Sequence, residues 1–367
     1  MPDFRPVVHI LGLLLVVLGL TMLVPAALEL MMGAGGWRLF LTAAFVTALS
    51  GLVLALVTRK GEAAAAEFVC AHFRRQHLEK FLPGLEKLGL SGLPDAVACA
   101  QYHYFSNALG GVKTEYMPES DVKAWVRYPP PRWIWQGAAI CGIPAKVNEA
   151  MLHGWHGHNG VSLGNPRLGF VCTGQTVTGA PGLEGYYFDY GREIAESERV
   201  RFAPDERAPD FDPAKAPQLD SASWPEERLK KVERAYAMEY VRSLLPTMLS
   251  LFGPDETRAH LGHAARLIGM QLYDETATLL ETGDKSAESF AHYLAALAAA
   301  QGEQVEISVG SSVTLRQSGW RLMQGIEVDE AGFAAWNELW IGALSVHNRN
   351  LRLTVQRTPA EILWKIA

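Results

Sequence analysis

Two long apolar runs open this chain and constrain its fold more than any later feature. Val7 to Leu28 is apolar apart from His9 and Thr21, and Leu39 to Val57 is apolar apart from small hydroxyl residues. Each has the length needed to cross a hydrocarbon core of roughly 30 Å at about 1.5 Å per residue. The Gly-rich turn "MMGAGG" between them predicts a helical hairpin, so residues 1–61 read as a transmembrane hairpin. Arg5 before the first run, and Arg59 with Lys60 after the second, place both ends in the cytoplasm by the positive-inside rule, at an inner or plasma membrane. Arg38 in the turn works against that orientation. A cleaved signal peptide ending near "LVPA" is the alternative, and it leaves the second run unexplained.

The stretches "RPVVHILGLLLVVLGLTMLVPAALEL" and "WRLFLTAAFVTALSGLVLALVTR" resemble the opening hairpin of Trk-type potassium-transporter membrane subunits. The pore loops and selectivity filters of such transporters are missing from the rest of the sequence. The resemblance therefore implies an anchor or a fusion relic, and it raises a membrane-protein partner, with this chain as accessory subunit of a potassium transporter.

From Glu62 the pattern changes to α+β. "AAAAEFVCAHFRRQHLEKFL" and "LPDAVACAQYHYFSNALGG" have helical character, the latter closed by two glycines suited to a C-terminal cap. "VKTEYM" and "DVKAWVRY" predict a strand pair. The helix holding "NEAMLHGWHGHN" follows, then the strands "RLGFVCTG" and "LEGYYFDY". The same order recurs near the C-terminus, where "NELWIGALSVHN" lies over "NEAMLHGWHGHN": Asn148, Glu149, His158 and Asn159 fall on Asn337, Glu338, His347 and Asn348. Identity and order together predict two tandem α+β repeats, each with helices and a small antiparallel sheet, over 62–190 and 226–367. Residues 191–225, charged and rich in proline, read as a linker or surface arm.

"HLGHAARLIGMQLYDETATLL", "GEQVEISVGSSVTLRQSGW" and "WIGALSVHNRNLRLTVQRT" resemble the L-2-amino-thiazoline-4-carboxylic acid hydrolase-like family. The resemblance implies hydrolysis of a C–N bond in a small heterocyclic or amide-type substrate. The second repeat has no cysteine, whereas the first keeps Cys141 and Cys172, so any such chemistry belongs to the first.

Candidate chemistry centres on "HGWHGHN". His153 and His156 share a helix face as i, i+3 neighbours, and His158 joins them if the helix stops at the glycines. Three neutral imidazoles with an open position would suit a divalent metal, zinc or iron. Against this, His158 and its counterpart His347 read as helix C-caps. His153 and His156 could serve as general base, and Cys172 as nucleophile with Glu149 nearby. The ordinary alternative for Cys172 is a small buried hydrophobe, and that for the four cysteines is free thiols in a reducing compartment. Trp125, Trp155 and Tyr187 could line a ligand pocket or fill a core. A net charge of −6 argues against a nucleic-acid partner. The leading expectation is a membrane-anchored hydrolase-like protein. The other is a non-catalytic small-molecule-binding or sensory module tethered to the membrane.

Overall fold

In the computed structural model, residues 37–130, 143–220, 222–358 and 360–367 are described. The architecture is mixed α+β with two sheets, and the chain divides into two compact units between Leu229 and Lys230.

The first unit is entered by helix α1 (Trp37–Lys87), broken at Gly61, whose φ of 81° suits a residue without a side chain. Then come α2 (Asp95–Leu109), β1 (Glu115–Ser120), β2 (Lys123–Tyr128), α3 (Ala145–Gly154), the short α4 (Asn159–Leu163), β3 (Leu168–Gly174), β4 (Leu183–Asp189) and β5 (Val200–Phe202). The sheet order is β1-β2-β4-β3-β5, antiparallel except that β5 runs parallel to β3. Side chains alternate across the pleat, and here both faces are covered. Val126, Phe170, Cys172 and Tyr187 pack with the helices in one core cluster. Met117, Trp125, Val171 and Tyr186 form a second cluster, closed over by Ala203, Ala208 and Phe211 of the Pro-rich segment. Leu168 to Thr173 is therefore buried without a break, the pattern of a strand covered on both sides.

The second unit holds most of α5 (Glu226–Leu279, broken at Gly253 with φ 74°), α6 (Ala287–Ala300), β6 (Val305–Val309), β7 (Val313–Gln317), α7 (Glu330–His347), β8 (Leu353–Arg357) and β9 (Ile362–Ile366). The order β6-β7-β9-β8 is antiparallel throughout. Ser286 caps α6 by accepting from the Ser289 amide at 3.1 Å, and Asp329 caps α7 by accepting from the Gly332 amide at 2.8 Å. The helices α5 and α7 cross backbone against backbone. A Cβ on Gly269 would fall 1.9 Å from the Leu339 carbonyl oxygen, and one on Gly342 2.1 Å from that of Arg266. Burial alternates along β7 and β9, with Val313, Leu315, Ile362 and Trp364 inward and Arg316 and Lys365 outward. One face of this sheet is packed and the other is open.

Two expectations are corrected. Among the described residues no helix is long and apolar enough to cross a membrane. The transmembrane hairpin, and the placement at an inner or plasma membrane that rested on it, therefore lose their basis. The first run, 7–28, lies outside the described residues. The second, 39–57, lies in the part of α1 that precedes the break at Gly61.

The tandem repeat is also unsupported, although the first four strands follow the same order in each sheet. The matched residues do different work. Asn148 donates to Gln175, while the Asn337 side-chain oxygen is buried without a partner. Glu149 makes no ion pair among those described, while Glu338 accepts from Arg266 at 2.6 Å. His158 meets Arg74, while His347 meets Tyr273 and the Ser286 carbonyl. Asn159 donates to Tyr187, and Asn348 to the Lys285 carbonyl. Shared identities thus mark no shared set of contacts.

Candidate functional site

The stretch "HGWHGHN" is the end of α3, seated on α1. Gly154 permits the contact, because a Cβ there would lie 2.5 Å from the Cys70 carbonyl oxygen. The carbonyls left open by the helix end are met by Arg74, whose Nε donates to Gly154 O and whose terminal nitrogen donates to His153 O, both at 3.0 Å. Arg74 therefore makes the cap expected of His158. Its other nitrogen lies 2.7 Å from His158 Nε2. A guanidinium only donates, so Nε2 accepts and the imidazole is neutral. Burial, then the charges of Arg74 and Arg199, lower the His158 pKa to about 4.

Behind the cap, His156 is buried with Nδ1 2.7 Å from the Tyr187 hydroxyl, and Asn159 donates to that hydroxyl at 2.9 Å. Tyr187 accepts from Asn159 and has its own proton for His156, which satisfies a neutral ring. His103 stacks on His156 with centroids 4.3 Å apart, and Phe170 lies 4.4 Å away. His77 is fully buried, stacks on Phe81 at 4.8 Å and meets Trp155 edge-on. Burial, with help from His158 and Arg74, lowers its pKa to about 3. The whole is an aromatic core built with neutral imidazoles.

Of the residues singled out by sequence, His156, Cys172, Trp155 and Tyr187 come together within this packed core. His153 is exposed and contributes its backbone carbonyl to the Arg74 cap. Trp125 lies in the cluster on the opposite sheet face, its indole donating to Glu119 at 2.6 Å. Cys172 is buried, and burial pushes its thiol up to about 12, so it stays protonated at neutral pH and is a poor nucleophile. Glu149 is half-buried on α3. Cys70, Cys99 and Cys172 are free thiols, and Cys141 lies outside the described residues. His153, His156 and His158 do not form a ligand set: among the described residues no group of three or more His, Cys, Asp or Glu side chains could hold a metal ion.

A cleft of a different kind opens in the second unit, with about 400 Å³ of empty space, open solvent included. Its walls are Trp320, Phe333, Trp336, Trp340 and Trp364, with aliphatic side chains between them and Gln301 and Gln317 as the polar members. The rings pack edge to face, Trp336 on Trp340 at 5.6 Å, Trp340 on Trp364 at 6.3 Å and Trp320 on Phe333 at 5.2 Å. The free space admits little more than one water molecule, so a larger guest must part the ring walls. The indole Nε1 atoms of Trp340 and Trp364 are both buried without a hydrogen-bond partner. A buried donor left unpaired costs about 1–3 kcal/mol.

Sequence reasoning placed the aromatic pocket in the first unit and passed over these residues. The available signal was the spacing: Trp336 and Trp340 are i, i+4 on one helix face, with Trp320 and Trp364 on the flanking segments. Comparison with protein-family models, with curated proteins and with solved structures finds no match to this chain.

Proposed function

We propose that the chain is a non-catalytic module that binds a small molecule in the tryptophan-lined cleft of its second unit. The observation that carries this reading is the pair of unpartnered indole N–H groups, Trp340 and Trp364, on residues lining one aromatic cleft. Apolar, aromatic walls with a few polar groups are the usual composition of a ligand site, and a buried donor without a protein partner gains from a ligand acceptor. A hydrolytic reading finds less support. Its nucleophile would be a buried, protonated Cys172, and its base a His156 already bonded to Tyr187 inside the core.

Isothermal titration of the full chain with 2-quinolone, a planar bicyclic lactam, tests the proposal. One saturable site is expected. Ala298→Trp, at a half-buried cleft position on α6, should fill the space and abolish binding. The absence of binding by planar aromatics, or binding untouched by Ala298→Trp, would contradict it.

A further inference from the structure

The sheet of the second unit has two edges, and they differ. β8 closes one edge, with Arg352 just before it and Arg357 at its end, and charge on an edge strand works against pairing with another chain. β6 closes the other and reads "VEISV": it has no lysine or proline, and its one charge, Glu306, stands opposite Arg316 of β7. Among the described residues no strand pairs with its outer side. The ladder bonds fix which backbone groups face out. The Ser318 amide donates to the Gln304 carbonyl at 3.1 Å, and the Gly310 amide to the Ser312 carbonyl at 3.2 Å. Bonded positions alternate along an antiparallel pair, so Glu306 and Ser308 bond to β7 while the amides and carbonyls of Val305, Ile307 and Val309 point outward. The side chains of Val305 and Ile307 are only partly buried against the core, and Val309 is 61% exposed. α6, which packs over β6 and β7, runs out in "AALAAA" and adds little bulk beside this edge.

We infer that β6 is a self-recognition strand, which pairs antiparallel with β6 of a second copy about a two-fold axis at Ile307. The outward backbone groups choose this register. It sets Val305 opposite Val309 and Ile307 opposite its twin, each pair exchanging both amide–carbonyl bonds. Glu306 then falls opposite Ser308 of the other copy, so no two carboxylates meet. The exposed Val309 gains a valine neighbour on the core side, and two four-stranded sheets become one. The same pairing of β8 about Val355 would set Leu353 against Arg357, whose guanidinium is already held by the Val328 carbonyl and Glu330. A single strand pair buries little area, so the dimer is weak and follows concentration. The inference is independent of what the tryptophan-lined cleft binds.

Sedimentation equilibrium of the full chain from about 1 μM to about 300 μM, the range in which a small interface dissociates, should show monomer passing to dimer. Position 308 reads the register. Within the chain it faces Thr314, which is uncharged. Ser308→Glu sets a carboxylate opposite Glu306 of the other copy, on both sides of the axis, and should weaken the dimer about three- to ten-fold. Ser308→Lys sets an amine there and should tighten it by a similar factor. Val309→Pro removes an outward amide while leaving the ladder to β7 whole, and should keep the chain monomeric throughout. Ser308 is exposed, so its two variants carry the test even if Val309→Pro fails to fold. A chain that stays monomeric over the whole range would overturn the inference and leave the edge to a strand from another protein. A dimer indifferent to the sign of the charge at 308 would put the interface elsewhere and overturn it as well.

Discussion

The two units bury the same chemical pair and finish their sheets differently. In the first, Tyr187 bonds Nδ1 of His156; in the second, Tyr273 bonds Nδ1 of His347, whose Nε2 donates to the Ser286 carbonyl at 2.8 Å. Each is a neutral histidine serving a core. Around the first, helices close one sheet face and the Pro-rich segment closes the other. Around the second, one face is packed, and a cleft opens where four tryptophans meet. Unpartnered ring nitrogens occur in both units, His77 and Trp155 in the first and Trp340 and Trp364 in the second, and the second pair belongs to residues that line a cleft.

The largest effect should come from placing a charge on the second face of each sheet. Val171→Asp buries an unpaired carboxylate under the Pro-rich segment and should destabilise the first unit by more than about 3 kcal/mol. Thr314→Asp puts the same group opposite Lys365 on the open face and should cost no more than about 1 kcal/mol. Urea denaturation of the two variants measures this, and equal losses would break the comparison.

Acid comes next. The folded pKa values of His77 and His158, about 3 and about 4, lie below the ordinary histidine value of 6.5. The fold thus favours the neutral rings, and protonation on unfolding pulls against it. Stability should be intact above about pH 6.5 and should fall as pH drops from there toward about 4 and then 3. The loss reaches up to about 1.4 kcal/mol per pH unit for buried His77 and less for half-buried His158, where solvent screens the charge. Denaturation curves between about pH 6.5 and 5 isolate this slope from most carboxylates. His77→Phe should flatten it, and an unchanged slope would show that these imidazoles are not held neutral.

Removing one hydroxyl from each pair gives a smaller effect. Tyr187→Phe strands both His156 and Asn159 and should cost about 1–3 kcal/mol, while Tyr273→Phe strands only His347 Nδ1 and should cost about 1 kcal/mol. Thermal unfolding of the pair checks the order, and the reverse order would contradict the network described. The mildest prediction concerns Cys172: iodoacetamide should leave it unmodified in the native chain at pH 8 and label it on unfolding, since its thiol is pushed up to about 12. Rapid native labelling, read by mass spectrometry, would restore it as a candidate nucleophile.

The strands were legible because "KAWVRY", "LGFVCTG" and "VTLRQ" carry the β-branched and aromatic residues that suit a pleated surface. The end of α3 at Gly154 was legible from its glycines. Its cap was not, because Arg74 lies far away in sequence and only the crossing at Gly154 and Cys70 brings it there. Composition counted residues 191–225 as unable to build a core, yet a few apolar side chains in it suffice to roof an existing sheet face. The histidines pointed toward chemistry because their spacing alone does not tell an open face from a closed one. The cleft escaped notice because Trp320, the Trp336 and Trp340 pair, and Trp364 lie on three separate segments, brought together with α6 by the pairing of β7 with β9.

One titration tests the division between a structural unit and a binding unit most directly. The full chain, labelled with ¹⁵N at tryptophan indoles and ¹³C at histidine and tyrosine rings, is followed as 2-quinolone is added. The indole signals of Trp340 and Trp364 should shift to saturation while those of His156 and Tyr187 stay fixed. Shifts at His156 and Tyr187 with the two tryptophans unmoved would contradict the account.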